Sequence, residues 1–247
     1  MGSVTLAVAL GSFKLAEARL DGGCRTTSPG PDSYTVCDFD PKATDLRIVN
    51  LRPDGEPYGR FSALSNTLWL DRHVLAFATN GGMYHADMSP VGLFVEYGFE
   101  RKAAVTGGGY GNFHLLPNGV FAVGEGRAVV QETNAYLASG FRAEYATQSG
   151  PMLVIGGKIH PRFLPDSDSL KIRNGVGIDA AGRVVFAISE RPVRFHDFAV
   201  FFRDVIGCVD ALYLDGTISS LYAPEIGRHD RLFPMGTIIA VVRRLPN

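Results

Sequence analysis

In CVDALYLDGTISSLY, Cys208 to Tyr222, an apolar run fit for an interior strand stops at Asp215-Gly216 and then turns into the hydroxyls Ser219 and Ser220. Side chains alternate along a strand, so Ala211, Tyr213 and Asp215 share one face and Leu212 and Leu214 the other. A carboxylate at the last position of an apolar strand must find partners, become protonated, or cost stability. That environment suits a catalytic acid or nucleophile. It equally describes an aspartate that caps a turn.

The same grammar recurs outward from this stretch. Short segments rich in Val, Ile, Phe and Tyr stand between Gly, Pro and Asn punctuation: SYTVCDFD, DLRIVNL, HVLAFAT, VGLFVEYG, NFHLLP, GVFAVGEG, PMLVIGG, RVVFAIS and TIIAVVRR. Two segments carry helical spacing instead. Phe61, Leu64 and Leu68 fall at i, i+3 and i+7, and Phe198, Phe201, Phe202, Val205 and Ile206 repeat the pattern behind Asp197. The expectation is an α+β domain, a twisted, mainly antiparallel sheet covered by a few helices.

With 247 residues, 46% of them hydrophobic and 20% charged, the chain can bury a large core. A formal net charge of −1 and the lack of any Lys/Arg cluster leave no footprint for nucleic acid. No apolar run approaches the ~18 to 20 residues of a membrane span. The apolar VTLAVALGSF followed by LAEA makes residues 1–18 a candidate signal segment, although a basic leader is missing and an N-terminal strand is the alternative. Cys24 and Cys37 bracket the turn-rich loop RTTSPGPDSY and are expected to pair, leaving Cys208 as a buried thiol. Such a bridge suits a periplasmic or secreted protein; otherwise the chain is cytoplasmic.

Four polar clusters lie where apolar strands end. Asn80-Gly81-Gly82 is followed by Tyr84, His85 and Asp87, with glycines that let backbone N–H groups approach a ligand. Gln148-Ser149-Gly150-Pro151 offers neutral donors and acceptors matched to sugar hydroxyls. Arg173-Asn174 brings a guanidinium, the side chain that meets phosphate with two parallel donors, to an element edge. Asp215-Gly216, with Ser219, is the fourth. Each has a plainer reading as a turn or a salt bridge. No G-x-S-x-G, P-loop, H-E-x-x-H or C-x-x-C motif occurs.

Taken in order, NGGMYH, PVGLFVE, TQSGPMLV, RNGVGID and ALYLDGTISSLY resemble the phosphodiester glycosidase family, over a domain placed at residues 33–242. The similarity implies a hydrolase that cleaves the glycosidic bond of a sugar 1-phosphodiester, in envelope or exopolysaccharide metabolism. The partner would be a carbohydrate phosphodiester or phosphorylated glycan. No cofactor is expected, and a metal requirement is left open. Carried over by motif, Asn80, Gly81 and Gly82 match the family's Asn-Gly/Ala-Gly turn, Ser149, Gly150 and Pro151 its Gly-Pro loop, Arg173 its arginine, and Asp215 and Gly216 its Asp-Gly. The expected catalytic set is Asp215 and Arg173, with Asp87 or His85 as second acid or base. Substrate contacts fall to Asn80, Gly81, Gly82, Tyr84, Gln148, Ser149, Gly150, Asn174, Gly216 and Ser219. The family usually continues past Asp-Gly with further glycines, where this chain has Thr217-Ile218. Two other classes stay open: a non-catalytic module that binds a phosphorylated glycan, and a hydrolase of another ester or glycoside.

Overall fold

The computed structural model of the chain describes residues 22–246; the candidate signal segment at 1–18 lies outside them. Strands β1 (Gly22–Thr27), β2 (Tyr34–Phe39) and β3 (Asp45–Val49) precede helix α1 (Phe61–Leu70) and β4 (His73–Asn80). Next come β5 (Phe94–Glu96), β6 (Phe99–Lys102), β7 (Gly119–Gly124), β8 (Arg127–Glu132), α2 (Thr133–Ser139) and β9 (Tyr145–Ser149). They are followed by β10 (Met152–Ile155), β11 (Lys158–Ile159), β12 (Asn174–Ile178) and β13 (Val184–Ser189). Helix α3 (Phe195–Val200) runs into a π-helical turn, Phe201–Ile206, before β14 (Asp210–Tyr213), β15 (Leu221–Ala223), β16 (Arg228–His229) and β17 (Ile238–Arg244).

The strands form three sheets, ordered β1-β2-β13-β12-β14-β10-β11, β16-β15-β4-β17-β3 and β6-β5-β9-β7-β8, in which every strand pair is antiparallel. One face of each sheet meets the others in a common core. Phe39 and Phe186 from the first sheet, Phe77 from the second and Phe121 from the third interlock there, with ring centroids 5.0 to 6.3 Å apart. Each opposite face is covered by a helix. Phe198 and Phe202 pack on the first sheet, Phe61, Leu64 and Leu68 of α1 on the second, and Tyr136 of α2 on the third. Period-2 strands that are apolar on both faces are what such sandwiched sheets require.

The α+β class and antiparallel pairing follow the expectation, while the single sheet becomes three, because alternation shows which residues face inward but not which strands pair. NFHLLP is not a strand. Asn112–His114 is a 3-10 turn, in which Leu115 N–H donates to Asn112 O (3.1 Å), and the Asn118 side chain holds Phe113 O. Val205 points to solvent because the π turn changes the helical register of its segment. Cys24 stands directly opposite Cys37 in the β1–β2 ladder and is bonded to it, with Cα atoms 4.0 Å apart. A link across 13 positions stabilises the chain by roughly 3 kcal/mol through its unfolded state. Cys208 is a buried free thiol.

Candidate active site

Strand ends from all three sheets meet at one place: Asn80 closes β4, Asn174 opens β12, Ser149 closes β9, and Leu214-Asp215 leaves β14. Two buried amides knot them together. Asn174 Nδ2 donates to Asn80 Oδ1 (2.9 Å) and to Thr79 Oγ1 (3.1 Å), while Asn174 Oδ1 accepts from Asp215 N–H (3.1 Å). Asn80 Oδ1 also accepts from Ser220 N–H (2.9 Å), and Thr79 Oγ1 donates to Ser220 O (3.0 Å). Ser219 Oγ donates back to Asp215 O (2.6 Å), and Ser149 Oγ to Leu214 O (2.7 Å). The loop from Asp215 to Ser220 is therefore held at both ends by side chains from three sheets. Inside a low-dielectric environment such a saturated network fixes geometry.

Asp215 is the one member left without a counter-charge. No cation pairs with it among the described residues, and burial pushes its carboxyl up to about 6, against the weaker pull of Thr217 and Gly216 N–H. Its negative charge in turn raises the hydroxyls of Tyr213 and Tyr84, in both cases behind the effect of their own burial. Gly216 is required here: a Cβ would stand 2.2 Å from the Tyr213 hydroxyl. Tyr84 is anchored through its hydroxyl to Pro234 O (2.8 Å).

Several other candidates sit elsewhere than their motifs suggest. Arg173, one position before β12, is 1% exposed and points to the other side from Asn174, as alternation demands. Its Nε donates to Val193 O and one Nη to Ser169 O, both at 2.9 Å, and its guanidinium carbon stacks 3.6 Å from the Phe195 ring centroid. Burial lowers its pKa, and the Tyr213 hydroxyl opposes that shift. Its fork is thus spent on the fold, and it reaches the site only through Tyr213, which lies between it and Gly216.

Gln148 is not free to orient a ligand. Its Oε1 accepts from Leu93 N–H (3.0 Å) and Val105 N–H (2.9 Å), and its Nε2 donates to Val105 O (2.7 Å) and Thr133 Oγ1 (3.0 Å). The N–H groups of Gly81 and Gly82 bond to Thr237 O and Thr147 Oγ1 rather than facing a cleft. A Cβ on Gly82 would fall 2.3 Å from Gln148 O, and one on Gly150 2.7 Å from Phe113 O, so these glycines permit strands to touch.

His85 and Asp87 occupy an exposed turn, where Asp87 accepts from Ser89 N–H (2.9 Å) and Ser89 Oγ (2.6 Å), bonds that hold its carboxyl below the usual range. No described contact joins this turn to Asp215. Thr79 completes the site without a motif to announce it, while Tyr213 and Ser220 lie inside the ALYLDGTISSLY stretch without being singled out as contacts. The shared face of Tyr213 and Asp215 is the signal that points to Tyr213. No cluster of three or more His, Cys, Asp or Glu able to hold a metal occurs among the described residues.

A family model described as phosphodiester glycosidase matches residues 73–241, from the start of β4 to the interior of β17. The chain belongs to the phosphodiester glycosidase family. Its match therefore spans Asn80, Ser149, Asn174 and Asp215 alike. A family relative from Escherichia coli (strain K12), named Uncharacterized protein YigE, is 35% identical over 212 residues, 86% of this chain and 82% of its own. The zebrafish N-acetylglucosamine-1-phosphodiester alpha-N-acetylglucosaminidase catalytic domain, auto-inhibited by its pro-peptide, has a similar fold, with TM-score 0.60 and 15% identity over 90% of this chain and 82% of that one. A hypothetical protein from Synechocystis superposes with TM-score 0.61 at 14% identity over 90% of this chain, which spans 61% of that protein. The chain's departure from the glycosidase family's glycines has a place in the fold. Ile218 buries its side chain in the α1 cluster with Phe61 and Met235.

Proposed function

We propose that the chain hydrolyses the glycosidic bond of a sugar 1-phosphodiester, with Asp215 as the group acting at the anomeric centre. The observation that carries this reading is a carboxyl raised to about 6 by burial, lacking a cation, on a loop held by buried amides. A general base works best with a pKa near the working pH. Above pH 6 the ionised Asp215 takes a proton from water as the water oxygen bonds to the anomeric carbon. The bond from that carbon to the phosphate oxygen breaks, and a phosphomonoester leaves. Phosphate is a good leaving group, so a strong second acid is less needed than for an ordinary glycoside with its two carboxyls. The turn carrying His85 and Asp87 is not required for this chemistry.

In this scheme Arg173 acts from behind. Its charge polarises the Tyr213 hydroxyl toward the developing negative charge on phosphate, as preorganised dipoles do. Asn80, Asn174 and Ser219 keep Asp215 in place. The Cys24–Cys37 bridge supports export, and an envelope or extracellular polysaccharide as the source of substrate. The test is incubation with a panel of sugar phosphodiesters, read as free reducing sugar plus phosphomonoester. Release of both by the wild type and neither by Asp215→Asn supports the proposal.

A glycan-binding module without turnover is the second reading. It is favoured by the placement of His85 and Asp87 on an exposed turn, so that neither bonds to Asp215 as a second acid or base. Saturable binding of sugar phosphates with no product from any diester would select it.

A further inference from the structure

The loop VTGGGYG, Val105 to Gly111, bears a tyrosine that the fold does not use. Tyr110 is 100% exposed. Scattered exposed aromatics are ordinary, but this one stands in unusual company. Thr106 to Asn112 are all exposed, and four of the five residues from Gly107 to Gly111 are glycine. Gly109 is explained by the His114 ring, 2.7 Å from where its Cβ would be, and Gly111 by its φ of +81°. Gly107 and Gly108 have neither reason: a Cβ on either meets nothing within 4 Å. Unexplained glycines carry a cost in unfolded-chain entropy and provide backbone freedom in return.

Both ends of the loop are pinned. Gln148 holds Val105 through its N–H and its carbonyl, and a ring nitrogen of His114 meets Gly107 O at 3.1 Å. At the far end Asn112 O lies 3.3 Å from where a Cβ on Gly150 would stand, next to Ser149, whose Oγ donates to Leu214 O (2.7 Å) beside Asp215. Two residues span at most about 7 Å, so the backbone of Tyr110 stands within that reach of Asn112 at the edge of the site.

We propose that Tyr110 is a substrate-binding residue, whose ring closes on the glycine loop and stacks against the apolar face of the sugar in a bound sugar 1-phosphate. This rests on the glycosidase reading for the identity of the ligand. An aromatic ring with a polar tip suits a pyranose, which presents C–H groups on one face and hydroxyls at its rim.

Two measurements separate the fate of this idea from that of the glycosidase reading. On a sugar 1-phosphodiester that the wild type cleaves, Tyr110→Ala should raise KM about tenfold, and Tyr110→Phe should restore it, because the ring and not the hydroxyl makes the contact. A wild-type KM in Tyr110→Ala overturns the proposal. The chain has one tryptophan, Trp69, so Trp69→Phe/Tyr110→Trp carries a single reporter on the loop. Titration of that variant with N-acetylglucosamine 1-phosphate and with glucose 1-phosphate should change its emission saturably, and inorganic phosphate should not. No change with either sugar phosphate overturns the contact, whether or not any diester is hydrolysed. A saturable change without turnover sustains Tyr110 as a sugar contact while the catalytic reading falls.

Discussion

The knot around Asp215 and the loop around Tyr110 are built on opposite principles. In the knot, Asn80, Asn174 and Thr79 bond to one another through their side chains and to the backbone of Ser220, and strand ends from three sheets are locked to them. In the loop, Tyr110 packs on nothing, and two glycines stand where a methyl group would fit. A group that acts on a bond must be held within a fraction of an ångström, whereas a group that embraces a ligand must let it in. Rigidity and freedom are thus apportioned to different parts of one molecule.

The largest effect is expected at the charge the knot protects. Asp215→Asn keeps shape and removes the carboxylate, and should lower kcat roughly 100-fold or more on any accepted diester; unchanged turnover would remove Asp215 from the mechanism. The same variant carries a stability signature of known sign. Because the folded pKa, about 6, lies above the ordinary 3.8, the stabilising contribution of Asp215 is complete below 3.8 and lost as pH rises through about 6. Asp215→Asn should therefore gain about 1–3 kcal/mol on the wild type between roughly pH 4 and pH 8. Thermal melts of both proteins across that range would read it as a widening Tm gap, and parallel curves would contradict it.

Next in size is the amide that ties the knot. Asn174→Ala strands Asp215 N–H and the oxygens of Asn80 and Thr79 in the interior, and should destabilise by about 2–4 kcal/mol. For a chain of this length that corresponds to roughly 4–15 °C in Tm, and a shift below about 2 °C would mean that water replaces the amide. Arg173→Lys should cost less, about 1–2 kcal/mol, since an ammonium cannot serve Val193 O, Ser169 O and the Phe195 ring at once. Its effect on kcat/KM, within about tenfold, should fall on turnover if Arg173 acts through Tyr213. An increase in KM alone would point to direct phosphate contact instead. The smallest and opposite effect belongs to the loop. Gly107→Ala and Gly108→Ala should each stabilise by about 0.4–1 kcal/mol while lowering kcat/KM, and stabilisation with full activity would show that the freedom is not used.

Much of this could be read from residue order alone. Strand and helix placements around Phe77, Phe186, Phe61 and Phe198 follow from periodicity, because burial on one side of a strand or helix writes itself into the local pattern. The pairing of Cys24 with Cys37 and the position of Asp215 at the end of an apolar strand follow from the same local pattern. The internal bonds of Gln148 and Arg173 are not legible in the sequence, since a residue type shows what a side chain can bond but not what stands beside it.

Residue order alone thus established an antiparallel α+β chain, its membership of a family, and a carboxylate stranded at the end of an apolar strand, all of which depend on near neighbours in the chain. Three-dimensional packing settled the rest. It divided the strands into three sheets, spent Arg173 on Val193 O, Ser169 O and the Phe195 ring and Gln148 on Val105, and left Asp215 without a cation and Tyr110 without a neighbour. Desolvation and hydrogen-bond satisfaction are properties of the surroundings, and here those surroundings come from residues as far apart in the chain as Asn80 and Ser220.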